Sequence, residues 1–594
     1  MYGLILRLNL LIKLLYKFSF MNSNFVLKGV RVGLGLLFVS SVFIKSHAQG
    51  IVTINPQFFH ADSASKLVVI NAPLHQLNAA ELSGDSIRTL VANGQAYALA
   101  RPVSKLSTAA SYQATYQAKN YTVYFTRVPV LSLRTRHQIV DAPSVYANVV
   151  LTDTTGLVAQ SATGIELRGA TSQSYPKKSY ELSLWADTLG TDNQDLALLG
   201  MRTSNKWNLQ AMYNDQLRLR IKVANELWQD MNQVYYKAQE PTAKSGISLV
   251  YTEVFINGRY QGIYTLTERV DRKQLKLKKY ANSTMMGELY KGSGWGNTTF
   301  KSLPAFDNTS LNWDGFEYKE PSEQIDWTNL HSFANLVVNG SDADFYSQYK
   351  AKFNLANAVD YFIFLNVMRA TDNTGKNIYI AKYKPSEPYF YVPWDLDGVL
   401  GNDWTGSNVN YILDVLSNGF YDRLQRDYSA NGFQAALASR WSSLRTSVVT
   451  SAYIAAKIKK SSDYLLNNNV YEREQLAWPS YQYDAAQLAY PTNWLTNRLA
   501  YLDAIFRPAT ALSAVGAAEV AELQLSPNPA SDYLYATIGT SPCQLTIRDV
   551  QGKTVLQTTL MSSRRVALNG LPHGLYLASM KSATVSVVRK IVVQ

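Results

Sequence analysis

Residues 370–401 read ATDNTGKNIYIAKYKPSEPYFYVPWDLDGVLG, and this stretch decides how the rest of the chain is read. Two apolar, aromatic-rich runs, Asn377–Tyr383 and Tyr389–Val392, have strand composition, and the KPSEP segment between them has turn chemistry. Asp372 and Asn377 stand at the entry to the first run, and Asp395 and Asp397 just past the second. A short antiparallel return brings Asp395 back beside Asn377. Asp397, two residues on, shares the face of Asp395 if the segment is extended. Oxygen donors gathered in this way suit Mg²⁺, which takes one or two carboxylates and completes its shell with phosphate oxygens and water.

Outward from this stretch, helical and strand patterns mix over 136–508. A helix is expected at Ala356–Met368, and a mainly helical region at about 410–506. Upstream, strands are expected at Gly164–Arg168 and Tyr180–Leu184, and a helix at Asp215–Gln229. Val250–Ile256 and Tyr260–Leu266 flank Asn257-Gly258, a strong hairpin signal. Residues 49–135 read as strands and turns without a catalytic cluster, and an immunoglobulin-like accessory module is expected there.

Bulk properties bound the function. A chain of 594 residues exceeds one hydrophobic core, so about three domains are expected. Hydrophobic residues at 47% and charged residues at 17% describe a globular protein. The net charge of +13 invites a nucleic-acid reading, but the basic residues are scattered apart from RVDRKQLKLKK, 269–279, and no helix-turn-helix or zinc-finger spacing occurs. No nucleic-acid partner is expected; a basic face meeting an acidic partner or anionic surface is the simpler reading. One cysteine, Cys543, excludes intramolecular disulfides, and the six separated histidines with no HExxH exclude the usual zinc enzymes.

The two ends read as addresses. From Met21, the better start, Lys28 and Arg31 precede an apolar run, Val32–Ile44, and a small-residue cleavage site at Ser46–Ala48. The run is shorter than the ~20 residues a membrane span needs, so residues 1–48 read as a removable signal region, leaving no stable transmembrane segment after processing. Residues 509–522 read as a linker. Residues 523–594 carry short alternating strands and turn signals, expected to form a small antiparallel sandwich. Gly552-Lys553-Thr554 is no phosphate loop, because Ile547 stands where a Walker A loop needs glycine. The segments LSPNPASDYL, IRDVQGKTV, LNGLPHGLYL and VVRKIVVQ resemble the C-terminal sorting domain of the type IX secretion system. That resemblance implies passage through the type IX secretion machinery to the cell surface or medium.

Five segments in order, LRGATSQSYPKKSYELSL, WNLQAMYNDQLRLRIKVANEL, VFINGRYQGIYTLTERVD, ATDNTGKNIYI and FYVPWDLDGVLG, resemble the spore-coat protein H (CotH) family of atypical kinases, over roughly 145–500. The resemblance implies an α+β, atypical protein-kinase-like core, here flanked by an all-β module and a small β-sandwich. It implies ATP and Mg²⁺ as cofactors and Ser/Thr of exported proteins, or of the chain itself, as substrate. Asp372-x₄-Asn377 has the spacing of a kinase catalytic loop, which assigns Asp372 to the acceptor hydroxyl and Asn377 to metal; Asp395 follows after a strand pair, as the metal-binding Asp of a kinase does, and is assigned to metal with Asp397 two residues on. Lys178 is assigned to the phosphates, with Lys177 and Arg168 as secondary candidates. Neither His-Arg-Asp nor Asp-Phe-Gly is present. Glu268 reads either as a hinge or a partner like the glutamate of the kinase αC helix, or as a surface charge. Gly292–Gly296 (GSGWG) reads as an ordinary loop without clear strand context, and Trp207, Trp394 and Tyr361 as core. The competing reading is a surface structural or adhesion protein with a vestigial kinase-like fold; a hydrolase lacks its Gly-x-Ser-x-Gly elbow.

Overall fold

Period-two alternation builds the centre of the molecule. Leu131 and Leu133, Val149 and Leu151, Leu182 and Leu184, Trp207 and Leu209 all point to one core. The strands carrying them close into a seven-stranded barrel, in the order Gly156–Arg168, Ser179–Trp185, Lys206–Gln210, Arg259–Thr267, Leu249–Ile256, Val130–Arg134 and Val145–Asp153. The computed structural model describes residues 50–78, 86–506, 524–538, 542–582 and 586–594. The signal region, its start at Met21 and the linker 509–522 lie outside these. No helix among the described residues is long and apolar enough to cross a membrane.

The expected hairpin forms as Leu249–Ile256 and Arg259–Thr267, with Asn257 and Gly258 both at positive φ, 52° and 74°. This is the paired left-handed turn that matches strand twist. The expected helix at Asp215–Gln229 begins later, at Arg220, and runs to Met231. Asp215 instead lies ahead of it and accepts the backbone N–H groups of Leu217, Leu219 and Arg220 at 2.7–3.0 Å. An acidic side chain before a helix satisfies amides that have no intrahelical partner.

Beside the barrel stands an antiparallel sheet of five strands, in the order Asn312–Trp313, Phe316–Glu320, Glu288–Gly292, Ile378–Lys382 and Tyr389–Pro393. The helix Leu355–Met368 packs on it, with every residue from Asn357 to Met368 buried. A mostly apolar helix belongs in the middle of a core, and its one acid, Asp360, is paired there with Arg440 at 2.6 Å and Asn232 at 3.0 Å. Helices Gly419–Leu424, Phe433–Arg445, Ser451–Asn467, Val470–Ala477 and Ala489–Phe506 supply the expected helical region.

The N-terminal region departs from the immunoglobulin-like expectation. Its seven strands form one mixed sheet, with Ile51–Thr53 parallel to Ile87–Ala92 and Leu67–Ile70 parallel to Lys119–Phe125. The sheet ends at Phe125. Val130–Arg134, expected within the same module, belongs to the barrel, where it runs parallel to Leu249–Ile256. Pro129 marks the break between them, since it has no N–H for a continuing ladder. The C-terminal region is the expected sandwich, with one sheet of three strands and one of four around a core that includes Leu534, Leu545, Ile547 and Ile591. Cys543 is buried in that core.

Candidate functional site

The strands Ile378–Lys382 and Tyr389–Pro393 pair with Ile378 opposite Pro393. That register sets Asn377 against Trp394, whose N–H donates to the Asn377 carbonyl at 3.0 Å. Asp395 therefore leaves the ladder beside Asn377. Both residues have left-handed backbones, φ 55° and 54°, which Asn and Asp adopt more readily than other non-glycine residues. Asn373 fixes the two loops together. Its Nδ2 donates to the Asn377 carbonyl at 2.7 Å and to the Trp394 carbonyl at 2.8 Å, while its own carbonyl accepts the Tyr361 hydroxyl at 2.8 Å.

Asp372, Asn377, Asp395 and Asp397 line one cleft of about 630 Å³ between the barrel and the five-stranded sheet. Among the described residues, the carboxylates of Asp372 and Asp395 form no ion pair and accept no hydrogen bond. Asp397 accepts one, from Asn214 Nδ2 at 2.9 Å, and Asn214 also donates to the Trp404 carbonyl at 2.7 Å. Burial, reinforced by Asp395, pushes the Asp397 carboxyl up to about 7. Burial also raises Asp372, against the pull of Lys376 and with the help of Asp395 and Asp403. The three acids thus feel one another with too little cationic charge between them, the condition that favours a bound cation or proton. Among the described residues, no three His, Cys, Asp or Glu side chains are gathered as a metal site on their own. The donor set fits an ion that completes its shell with phosphate oxygens and water.

The opposite wall is basic. Arg168, at the end of its barrel strand, donates to Gln210 Oε1 at 2.7 Å and lies over the Trp394 ring at 5.0 Å. Lys291, on Glu288–Gly292, also lines the cleft, and burial lowers it below the usual lysine range. The two candidate lysines of the Pro-Lys-Lys segment part company. They precede the strand Ser179–Trp185, so neighbours point to opposite sides. Lys178 turns away, donating to the Gln173 carbonyl at 2.6 Å, and does not line the cleft. Lys177 points inward, fully buried, to Glu474 Oε1 at 2.5 Å and the Ile263 carbonyl at 2.6 Å. Arg218 Nε reaches the same Glu474 oxygen at 3.0 Å. Burial opposes the Glu474 charge, but Lys177 and Arg218 outweigh it and hold the carboxyl below its usual range. Gly262 makes the approach possible, because a Cβ there would overlap the carboxylate.

Other readings change in detail. Glu268 is fully buried rather than a surface charge, pairing with Lys244 at 2.8 Å and accepting the Arg202 and Ser248 N–H groups at 2.9 Å each. It does not line the cleft. Gly292–Gly296 does follow a strand, since Gly292 ends Glu288–Gly292, and Ser293 and Trp295 line the cleft. Trp207, Trp394 and Tyr361 are buried as expected, although Trp394 also faces the cleft. Missing from the sequence reading were Glu474, Arg218, Asn214 and Lys291, together with the buried Asn208 and Gln210 on the barrel wall. Both Asn208 amide atoms and Gln210 Nε2 lack a hydrogen-bond partner where they line the cleft. Alternation along Lys206–Gln210 with a polar Asn208 and Gln210 was the one available signal.

Two family models match the chain. Residues 524–594 match the secretion system C-terminal sorting domain. A search of curated proteins finds no match. Residues 165–502, spanning most of the barrel, the five-stranded sheet and the helices, match the CotH kinase protein model. That match takes in more than half of the sequence and contains every residue of the cleft described above, so the chain belongs to the CotH kinase protein family.

Proposed function

We propose that the protein is an exported phosphotransferase that uses ATP and Mg²⁺ to phosphorylate Ser or Thr of exported proteins or of itself. One observation carries the reading: Asp372, Asn377, Asp395 and Asp397, spread over 26 residues, line the same cleft as Arg168 and Lys291. Phosphoryl transfer asks for carboxylate or amide oxygens, cations on the opposite wall and a group for the attacking hydroxyl. The unpartnered Asn208 amide and Gln210 Nε2 offer the hydrogen bonds that a polar ligand in the cleft would satisfy.

In this reading Asn377, Asp395 and Asp397 would hold Mg²⁺, and Arg168 and Lys291 would lie against the phosphates. Mg²⁺-bound ATP supplies the phosphoryl group and neutralises charge on its oxygens. Asp372 accepts the proton of the acceptor hydroxyl, and the burial that raises its carboxyl makes it a stronger base for that role. Lys177 and Glu474 form a buried pair of the kind protein kinases need in place for activity. The C-terminal sorting domain implies export by the type IX secretion machinery, to the cell surface or the medium. The test is transfer from labelled ATP by the purified exported chain. Label should enter protein with wild type and be lost in Asp372→Asn; equal labelling by both would overturn the assignment. A folded wild type that never labels would favour the surface-structural role.

A further inference from the structure

The basic run 269–279, which the proposed chemistry leaves unused, folds around a second cleft. Arg269 lines the first cleft, paired with Glu181. Three residues on, the chain turns through a short helix, Arg272–Leu275, capped by Asp271 and ended at Lys276 with φ 54°. From Arg272 to Lys279 it forms the rim of a separate hollow of about 790 Å³, whose other walls come from residues 200–203 and 237–244. Eight lysines and arginines line this hollow, and Glu240 is its only acid.

Ion pairing leaves several of these cations unanswered. Glu240 takes Lys278 at 2.8 Å, Glu268 takes Lys244 at 2.8 Å, Asp271 takes Arg202 at 2.6 Å and Asp195 takes Lys273 at 3.0 Å. Glu320 stands 3.9 Å from Arg272. Lys237 reaches only the Ala243 carbonyl, at 2.7 Å. Lys276 and Lys279 are exposed and, among the described residues, have neither an ion pair nor a hydrogen bond. Arg202 adds buried Nε and Nη1 atoms without a partner. A concave site with uncompensated positive charge concentrates anions.

The lining also says which anion. Its apolar members are Met201, Pro241 and Leu277, with no aromatic face on which a base could stack. Six of the eight cations are lysines, point charges on flexible stems that can follow a string of separate carboxylates along an extended chain. The hollow shares a wall with the first cleft, because Arg202 Nη2 donates to the Arg269 carbonyl at 3.2 Å.

We propose that this hollow is a docking site for an Asp/Glu-rich segment of a protein partner. In the context of the phosphotransfer reading, on which only this last step rests, the partner is the substrate, held while its hydroxyl reaches the neighbouring cleft. The test uses the full exported chain and a fluorescein-labelled 12-residue Asp/Glu peptide, read by anisotropy without nucleotide. Wild type should bind, with affinity falling steeply as salt rises. The exposed pair K276E/K279E should weaken binding at least tenfold while the thermal melt stays unchanged, and Asp372→Asn should bind as wild type does. Unaltered binding by K276E/K279E, or tighter binding of a single-stranded oligonucleotide of equal charge at the same hollow, would overturn the proposal. Peptide binding by a chain that fails to transfer phosphate would leave the docking site standing and refute the phosphotransfer reading alone.

Discussion

Lys177→Met tests the buried centre of the site. Lys177 and Glu474 have no exposed side-chain surface. Removing one member of such a pair costs about 3–5 kcal/mol, because the remaining charge stays buried without its counter-ion. Here Glu474 would keep Arg218 at 3.0 Å and the Ile263 N–H at 2.8 Å, which favours the low end, about 3 kcal/mol. The Ile263 carbonyl also loses its donor, adding about 1 kcal/mol. The expected loss is therefore about 4 kcal/mol. Glu474→Gln in the same chain should recover part of it. Arg218 would retain the Met212, Tyr213 and Asp215 carbonyls at 2.6–2.9 Å and the Tyr481 ring at 4.3 Å. The double variant should thus be at least about 2 kcal/mol more stable than the sum of the singles. Urea unfolding followed by tryptophan fluorescence, which reports on the buried Trp207 and Trp228, measures both quantities. A loss below about 1 kcal/mol for Lys177→Met, or strictly additive losses, would rule out a coupled, buried Lys177–Glu474 pair.

Asn373→Ala removes two donors at 2.7 and 2.8 Å and should cost about 2 kcal/mol; hydrogen exchange should rise at residues 377 and 394–397, and no local change would contradict the tie. Asp397 carries a carboxyl raised to about 7 from 3.8, so the folded state holds the extra proton. Its contribution to stability is full below about pH 4 and is lost as pH rises through 7. Without divalent cations, the melting temperature should fall across that window more steeply in wild type than in Asp397→Asn; identical slopes would refute the assignment.

Local signals made much of this fold readable in the sequence. Asn257-Gly258 fixed the hairpin, and the strands at 378–382 and 389–393 lie within a residue or so of their expected limits. Tertiary pairing hid the rest. Val130–Arg134 alternates like the strands before it, and only its partner, Leu249–Ile256, assigns it to the barrel. Lys177 and Lys178 are adjacent and chemically alike, so which one faces inward depends on the register of Ser179–Trp185 against its neighbours. Glu474 lies 297 residues from Lys177, on a helix whose pattern carries no sign of the pairing. Asp215 looked like a helix residue because its own spacing does not show that its carboxylate caps the helix from outside.

Nucleotide binding by the full chain, measured calorimetrically with and without Mg²⁺, asks whether the cleft is an ATP–Mg²⁺ site. Wild type should bind ATP in a Mg²⁺-dependent manner, Asp372→Ala should bind comparably, and Asp395→Ala should bind at least about tenfold more weakly, the loss of one charged metal ligand. Equal Mg²⁺-dependent affinity in wild type and Asp395→Ala, or no ATP binding by a wild type that melts cooperatively, would show that the cleft does not hold ATP and Mg²⁺ in this way.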